Sequence, residues 1–379
     1  MPDKKIKVFV CGVLPPPYFG HSMLYEMLMR SSFPSVYEVK FFNMHFWSYT
    51  TNKKVTAGKL GKMAQYWCQY VWQIVSFRPK YILYNISFYQ LPFPKDFLFC
   101  MTGILAGCRF ILHDHGQYVR ELYDTLPGWQ KRLLGWMLQN SFAAIIMGQN
   151  VRPFYNGLMP QERLFIAPGT VEDTKDIPSD TGAPKAGGVN VLYFSYLSRD
   201  KGVFTAFEAV PLILKGRGDA RVTFAGPLEN DVVAAQLEAL QKEFPGRVEY
   251  LGYIDKTCER AGIFRSADIF IFPTLRDVFG LVLLHAMAEG LPIVASREGT
   301  IPETIPDERH GLLFEKGNAR ALASQVLALL QDEGRRKLMG QANRRRFEEV
   351  YRLEKYGACM TRIFDRLERF QQDGSGDGC

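Results

Sequence analysis

No two cysteines in this sequence stand at C-x-x-C spacing, and none neighbours a histidine cluster. The seven fall singly at Cys11, Cys68, Cys100, Cys108, Cys258, Cys359 and Cys379, so neither a zinc site nor a disulfide framework is expected. Reduced thiols of a cytoplasmic protein are the plain reading. Long apolar runs are also missing. The most apolar stretch, Phe97 to Leu112, is too short for a bilayer and is interrupted by glycine and Arg109. The lysines and short apolar run at the start lead into three prolines rather than a small-residue cleavage site, which favours a buried first strand over a signal peptide. No low-complexity block appears before the last few residues. Disulfide-scaffold and membrane-spanning classes are therefore excluded, and a folded α/β chain remains.

A chain of 379 residues exceeds what one hydrophobic core usually supports, so two domains are expected. Continuous apolar, β-branched runs occur at Ile6 to Leu14, Val36 to Phe42, Tyr81 to Ile86, Arg109 to His113, Ala143 to Met147 and Leu164 to Ala167. Runs of this kind between amphipathic segments read as parallel strands covered on both faces. After Gly169 comes a stretch rich in Asp, Thr, Pro and Gly with no hydrophobic period, the composition of a linker. A second strand series follows: Val189 to Phe194, Arg221 to Ala225, Arg247 to Leu251, Asp268 to Phe272, Pro292 to Ala295 and Gly311 to Phe314. The expected division is 1–172, a linker at 173–188, a second Rossmann-like domain at 189–352, a helix at 353–370 and a disordered tail at 371–379.

The most informative segment runs from Asp268 to Glu303. A strand there ends at Pro273 in a loop that turns into a helix near Phe279-Gly280, so the N–H groups of Gly280, Leu281 and Val282 are expected to face a phosphate. Asp277, just before that helix, either caps it or accepts hydrogen bonds from sugar hydroxyls. In the first half, His113, Asp114, His115 and Gly116 follow a strand end, the place where ligands bind in open α/β sheets.

These residues resemble glycosyltransferase family 4. The family's hallmark is Glu-x-Phe-Gly, four further residues and Glu-Ala-Met-Ala, then Gly-x-Pro-Val-Val-Ala and Gly-Gly-Ile-Pro-Glu. This chain carries DVFGLVLLHAMAEGLPIVAS and EGTIPE in that order and spacing, and FSYLSRDKGVFTAFEAV resembles the family's Gly-Arg-Leu-x-x-x-Lys-Gly element. The resemblance implies a GT-B fold: two Rossmann-like doubly wound domains facing a cleft, with a C-terminal helix returning to the N-terminal domain. It implies retaining, metal-independent transfer from a UDP or GDP sugar, with no other cofactor, to a glycan or lipid-linked acceptor, as in bacterial surface polysaccharide synthesis. The absence of an Asp-x-Asp motif agrees with a metal-free reading.

Residue by residue, the resemblance makes Lys201 the point charge on the leaving diphosphate and Asp277 the group that orients the sugar. It places His115 against the transferred sugar, with Asp114 as the competing candidate, and the Gly20 N–H near the donor phosphates. Tyr253 and Ile254 would frame the nucleobase, while Phe279, Gly280, Leu281 and Val282 hold the phosphate. Two departures stand out. Tyr196 replaces the family's arginine, so Arg199 becomes the candidate substitute; His285 replaces the second glutamate and is expected to face the ribose with one donor and one acceptor instead of a carboxylate pair. These departures keep a catalytically silent nucleotide-sugar binder open, and another GT-B reaction such as epimerisation is the rival enzyme reading.

Charge is uneven: 18 Lys/Arg against 9 Asp/Glu through residue 172, then 28 against 30. Lys53, Lys54, Lys59 and Lys62 precede Tyr66, Trp67, Tyr70 and Trp72, and Trp129, Lys131, Arg132 and Trp136 share a second helical pattern. Basic residues beside aromatics suit an anionic inner-leaflet surface, or else flank core aromatics; no nucleic-acid motif is present.

Overall fold

The structure is a computed structural model, and it describes residues 5–16, 18, 20–44, 57–86, 93–116, 118–175, 177 and 188–374. The chain divides into two compact units, one comprising Met1–Gly169 with Glu354–Cys379, the other Thr170–Leu353.

The first unit carries strands β1 (Lys7–Gly12), β2 (Glu38–Asn43), β3 (Tyr81–Ile86), β4 (Arg109–Asp114), β5 (Ala143–Ile146) and β6 (Leu164–Ile166). They form one parallel sheet in the order β2-β1-β3-β4-β5-β6. Every residue of β3 and β5 is buried, which is why these strands read as runs that are apolar but for Asn85 rather than as an alternation. The second unit carries β7 (Val189–Phe194), β8 (Ala220–Ala225), β9 (Val248–Tyr250), β10 (Ile269–Phe272), β11 (Ile293–Ser296) and β12 (Leu312–Phe314), again all parallel, in the order β12-β11-β10-β7-β8-β9. Each strand lies on one of the expected runs.

The C-terminal helix, Leu353–Gly374, returns to the first unit and extends past the expected end at 370; residues 375–379 lie outside the described residues. Its Tyr356, Met360, Ile363, Phe364 and Leu367 complete that unit's core beside Phe33, Tyr37 and Tyr81. Tyr37 Oη donates to Asp365 Oδ1 at 3.0 Å, and Glu368 pairs with Lys80.

The segment expected as a domain end and linker behaves differently over Thr170 to Thr174, which packs on the second unit. Thr170 Oγ1 donates to the Tyr351 carbonyl at 2.6 Å. Asp173 accepts both guanidinium arms of Arg344, at 2.8 and 2.9 Å, and Arg352 at 2.8 Å. The two arginines hold the Asp173 carboxyl down at about 2 against the opposing effect of its partial burial. Among the described residues, no helix is long and apolar enough to cross a membrane.

Candidate functional site

In the second sheet the chain proceeds from β7 outward to β8 and β9, then returns to place β10 on the other side of β7. The loops leaving the carboxyl ends of β7 and β10 therefore diverge, and such a reversal opens the crevice in which doubly wound sheets bind ligands. Residues 195–202 form the first loop and residues 273–280 the second.

The two loops are joined through one backbone atom. The Asp200 carbonyl accepts from Thr274 Oγ1 at 3.0 Å and from the N–H groups of Leu275 and Arg276 at 2.8 and 2.9 Å. Gly202 makes this approach possible: its φ is +72°, and a Cβ there would lie 1.8 Å from the Pro273 carbonyl oxygen. The junction brings Lys201 Nζ to 2.5 Å from Asp277 Oδ2, with both side chains partly buried. The other Asp277 oxygen accepts from the Gly280 N–H at 3.1 Å.

Asp277 therefore does not cap the helix. The cap position belongs to Gly280, which is left-handed at φ +68° where Phe272 leaves no room for a side chain, and the helix Leu281–Ala288 follows. The first-turn N–H groups of Leu281 and Val282 have no preceding helical carbonyl to bond, so they are the donors left to an anion. Phe279, just before the cap, is buried, with its ring 6.1 Å from that of Tyr351. Lys201, Asp277, Phe279, Gly280, Leu281 and Val282 thus lie on the two joined loops and the helix that follows them.

Arg199 belongs to the same loop. Its backbone N–H donates to Glu229 Oε2 at 3.0 Å, and its guanidinium lies 5.0 Å from the centre of the Phe204 ring. Tyr196, at the position of the family's arginine, is exposed. Tyr253 is exposed on the loop after β9 and Ile254 beside it is half-buried.

His285 is buried, its ring centre 6.0 Å from that of Phe264 on the neighbouring helix Thr257–Ser266. Burial pushes its imidazole well below the ordinary value, and the Arg260 charge pushes in the same direction. It is a neutral ring at neutral pH. Arg260 itself carries no feature of the motif, and its proximity to His285 was not legible in the sequence.

In the first sheet the order reverses between β1 and β3, and the loop after β1 leads to Gly20, the first residue of the helix Gly20–Arg30. At the end of β4, His113 Nδ1 and Tyr25 Oη share a hydrogen bond of 3.1 Å, and burial lowers His113 to about 3. Asp114 is buried; its Oδ2 accepts from Tyr155 Oη at 2.7 Å and its Oδ1 from the Gly116 N–H at 2.8 Å. Burial outweighs both bonds and pushes this carboxyl up to about 7. His115 follows with its ring centre 4.1 Å from that of His113, and neither ring nitrogen, both buried, has a hydrogen-bond partner among the described residues. Burial, then His113 and His21, keep His115 well below the ordinary value. Asp114 thus ties Tyr155 to the turn that carries His115.

Of the basic and aromatic residues before β3, Lys53 and Lys54 lie outside the described residues, as does the side chain of Lys59. Lys62 and Trp72 are exposed, Tyr66 and Trp67 half-buried, and Tyr70 belongs to the core. In the helix Gly128–Asn140, Trp129 and Arg132 are exposed, whereas Lys131 and Trp136 are half-buried.

The family model described as Glycosyl transferases group 1 matches residues 188–332. N-acetyl-alpha-D-glucosaminyl L-malate synthase from Bacillus anthracis is 34% identical over 186 residues, which cover 49% of this chain and 47% of that protein. The chain spans less than half the length of the curated relatives it matches. Sucrose-phosphate synthase from Thermosynechococcus elongatus has the same fold at a TM-score of 0.74 and 18% identity, covering 96% of this chain and 100% of that one. The HepE protein of Anabaena, solved in complex with UDP, matches at a TM-score of 0.73 and 15% identity, covering 95% of this chain and 100% of its own.

Proposed function

From the match of residues 188–332 to the family model Glycosyl transferases group 1, and from the GT-B fold of the whole chain, we propose that this protein transfers a sugar from a nucleotide diphosphate sugar to a glycan or lipid-linked acceptor. The observation that carries the reading is the Lys201–Asp277 pair at the reversal of the second sheet, beside the open N–H groups of Leu281 and Val282. A diphosphate seated there meets one ammonium and two backbone donors. As the donor enters, Lys201 turns from Asp277 to the phosphate and Asp277 is released to the sugar hydroxyls. Arg199 adds a second positive charge from the same loop.

The reaction breaks the bond between the anomeric carbon and the diphosphate oxygen and forms one to the acceptor oxygen, with retention. The acceptor's proton passes to the departing phosphate, whose charge Lys201 and Arg199 offset without a metal. Gly20 and His115 of the first unit are assigned to the donor phosphates and the transferred sugar; the two nitrogens of His115, without a partner among the described residues, support a polar ligand there. Tyr253 and Ile254 are assigned to the nucleobase. The UDP bound by the Anabaena protein makes uridine donors the first to try.

Release of UDP from a panel of UDP and GDP sugars, with polysaccharide and lipid-linked acceptors, tests the reading. Lys201→Ala is expected to lower turnover by about 100-fold or more, the usual effect of losing a group that stabilises transition-state charge. Tight nucleotide binding with no turnover on any donor would favour the silent binder instead. Surface attachment to an anionic inner leaflet through Lys62, Trp72, Trp129 and Arg132 is part of the proposal. Flotation with anionic vesicles at low salt should carry the protein upward, and its failure there would remove the membrane from the reading.

A further inference from the structure

Where the family has a carboxylate, one turn into the helix Leu281–Ala288, this chain has His285, and the neighbouring helix supplies Arg260. Arg260 and Phe264 are one turn apart on the helix Thr257–Ser266 and share a face. The Phe264 ring centre lies 6.0 Å from that of His285, so Arg260, on the same face one turn earlier, is on the side of the helix that looks towards the imidazole, and its charge acts on that ring. The guanidinium is not used up by this packing. Its terminal nitrogen reaches Thr257 Oγ1 at 3.3 Å, while its Nε is buried with no hydrogen-bond partner among the described residues. A buried N–H left unmade costs about 1–3 kcal/mol, a cost that a ligand acceptor at that point would remove.

Among the described residues, Glu172 and Tyr253, the latter on the loop after β9, act on Arg260 by charge, and Arg260 acts in the same way on the neutral ring of His285. Tyr253 is exposed and His285 is buried, so the three residues run from the surface inward on the second unit alone. A carboxylate at 285 would be neutralised by Arg260 in a salt bridge; a neutral imidazole leaves the guanidinium donors free for a ligand and keeps one ring nitrogen as an acceptor.

We propose that Arg260 and His285 together read the ribose of the donor nucleotide, the guanidinium donating to a hydroxyl oxygen and the imidazole accepting a hydroxyl proton, in place of the missing carboxylate. This rests on the nucleotide-sugar reading above. It makes Arg260 a specificity residue that the motif does not contain, and it turns the His285 departure into one half of an exchange.

The test is isothermal titration of the full chain with UDP, 2′-deoxy-UDP and 3′-deoxy-UDP. Wild type should bind at least one deoxy nucleotide about 10-fold more weakly than UDP, the effect of leaving a buried polar group of the site unpaired. Arg260→Met should lose UDP affinity by a similar factor while erasing that discrimination, and His285→Gln, which keeps a donor and an acceptor, should retain part of it. Equal loss for UDP and both deoxy nucleotides in Arg260→Met would make Arg260 a packing residue and overturn the inference, as would unchanged affinities. If wild type binds UDP but does not discriminate, only the ribose assignment falls. If it binds no nucleoside diphosphate, the proposed function falls with it.

Discussion

Replacing Gly202 by alanine would place a methyl carbon 1.8 Å from the Pro273 carbonyl oxygen and 2.6 Å from its carbon, on a backbone already at φ +72°. The left-handed conformation alone costs an alanine about 1–2 kcal/mol. Relieving the overlap requires the two loops to separate by more than 1 Å, on the order of the gap between 1.8 Å and normal contact. That movement stretches the three hydrogen bonds that converge on the Asp200 carbonyl at 2.8 to 3.0 Å. At about 1 kcal/mol for each of the three bonds lost, the total with the backbone cost reaches roughly 4–5 kcal/mol. For a unit of this size the melting temperature should fall by roughly 10 °C.

Gly218→Ala is the matched control, because a Cβ there meets nothing within 4 Å. The consequence for the site is separate and more specific. Lys201 is the residue before Gly202, so loop separation withdraws its ammonium from Asp277, and UDP affinity should drop as far as it does in Lys201→Ala. Differential scanning calorimetry and UDP titration on the three variants decide the matter. A Gly202→Ala protein that melts within about 2 °C of wild type and binds UDP normally would refute the claim that the loop junction positions Lys201.

Two further outcomes concern pH. Asp114, pushed up to about 7 from the ordinary 3.8, favours the folded state fully below about pH 4 and loses that contribution as pH rises to about 7. Asp114→Asn should therefore gain on wild type by as much as about 4 kcal/mol between pH 4 and pH 7 in urea titrations, and a pH-independent difference would contradict the assignment. Asp173 has the opposite sign: held at about 2, it stabilises above pH 4 and the benefit is lost as pH falls towards 2. Its shift corresponds to about 2.5 kcal/mol, which solvent screening of this partly exposed clamp reduces to about 1 kcal/mol, and Asp173→Asn should lose that amount at pH 7. No loss of urea midpoint in the second unit would show that the clamp holds nothing.

The strands were legible because burial on both faces leaves no alternation to misread: β3, β5, β10 and β11 are buried at every residue. The loop after β10 was legible because Pro273 and Gly280 mark its two ends. What the sequence could not carry were pairings between distant residues. Asp173 meets arginines that lie more than 150 residues away, and nothing in its surroundings distinguishes it from a solvated linker acid. Asp114 and Tyr155 are likewise joined only by folding. The resemblance set His285 against the ribose; what it could not show is that the ring is buried beside Phe264 and feels the charge of Arg260, on a helix whose own pattern offers no hint of a ligand.

The bond from Thr170 to the Tyr351 carbonyl, with Asp173 gripping Arg344 and Arg352, has a consequence for how the molecule can be divided. The peptide enters and leaves the second unit at one spot. Topologically that unit is a guest spliced into a host, and its two ends are already fastened to each other. A gene fragment spanning 170–353 carries its own closure, so the half of the protein with the family signature is the half that lends itself to excision, transplantation or circular rearrangement.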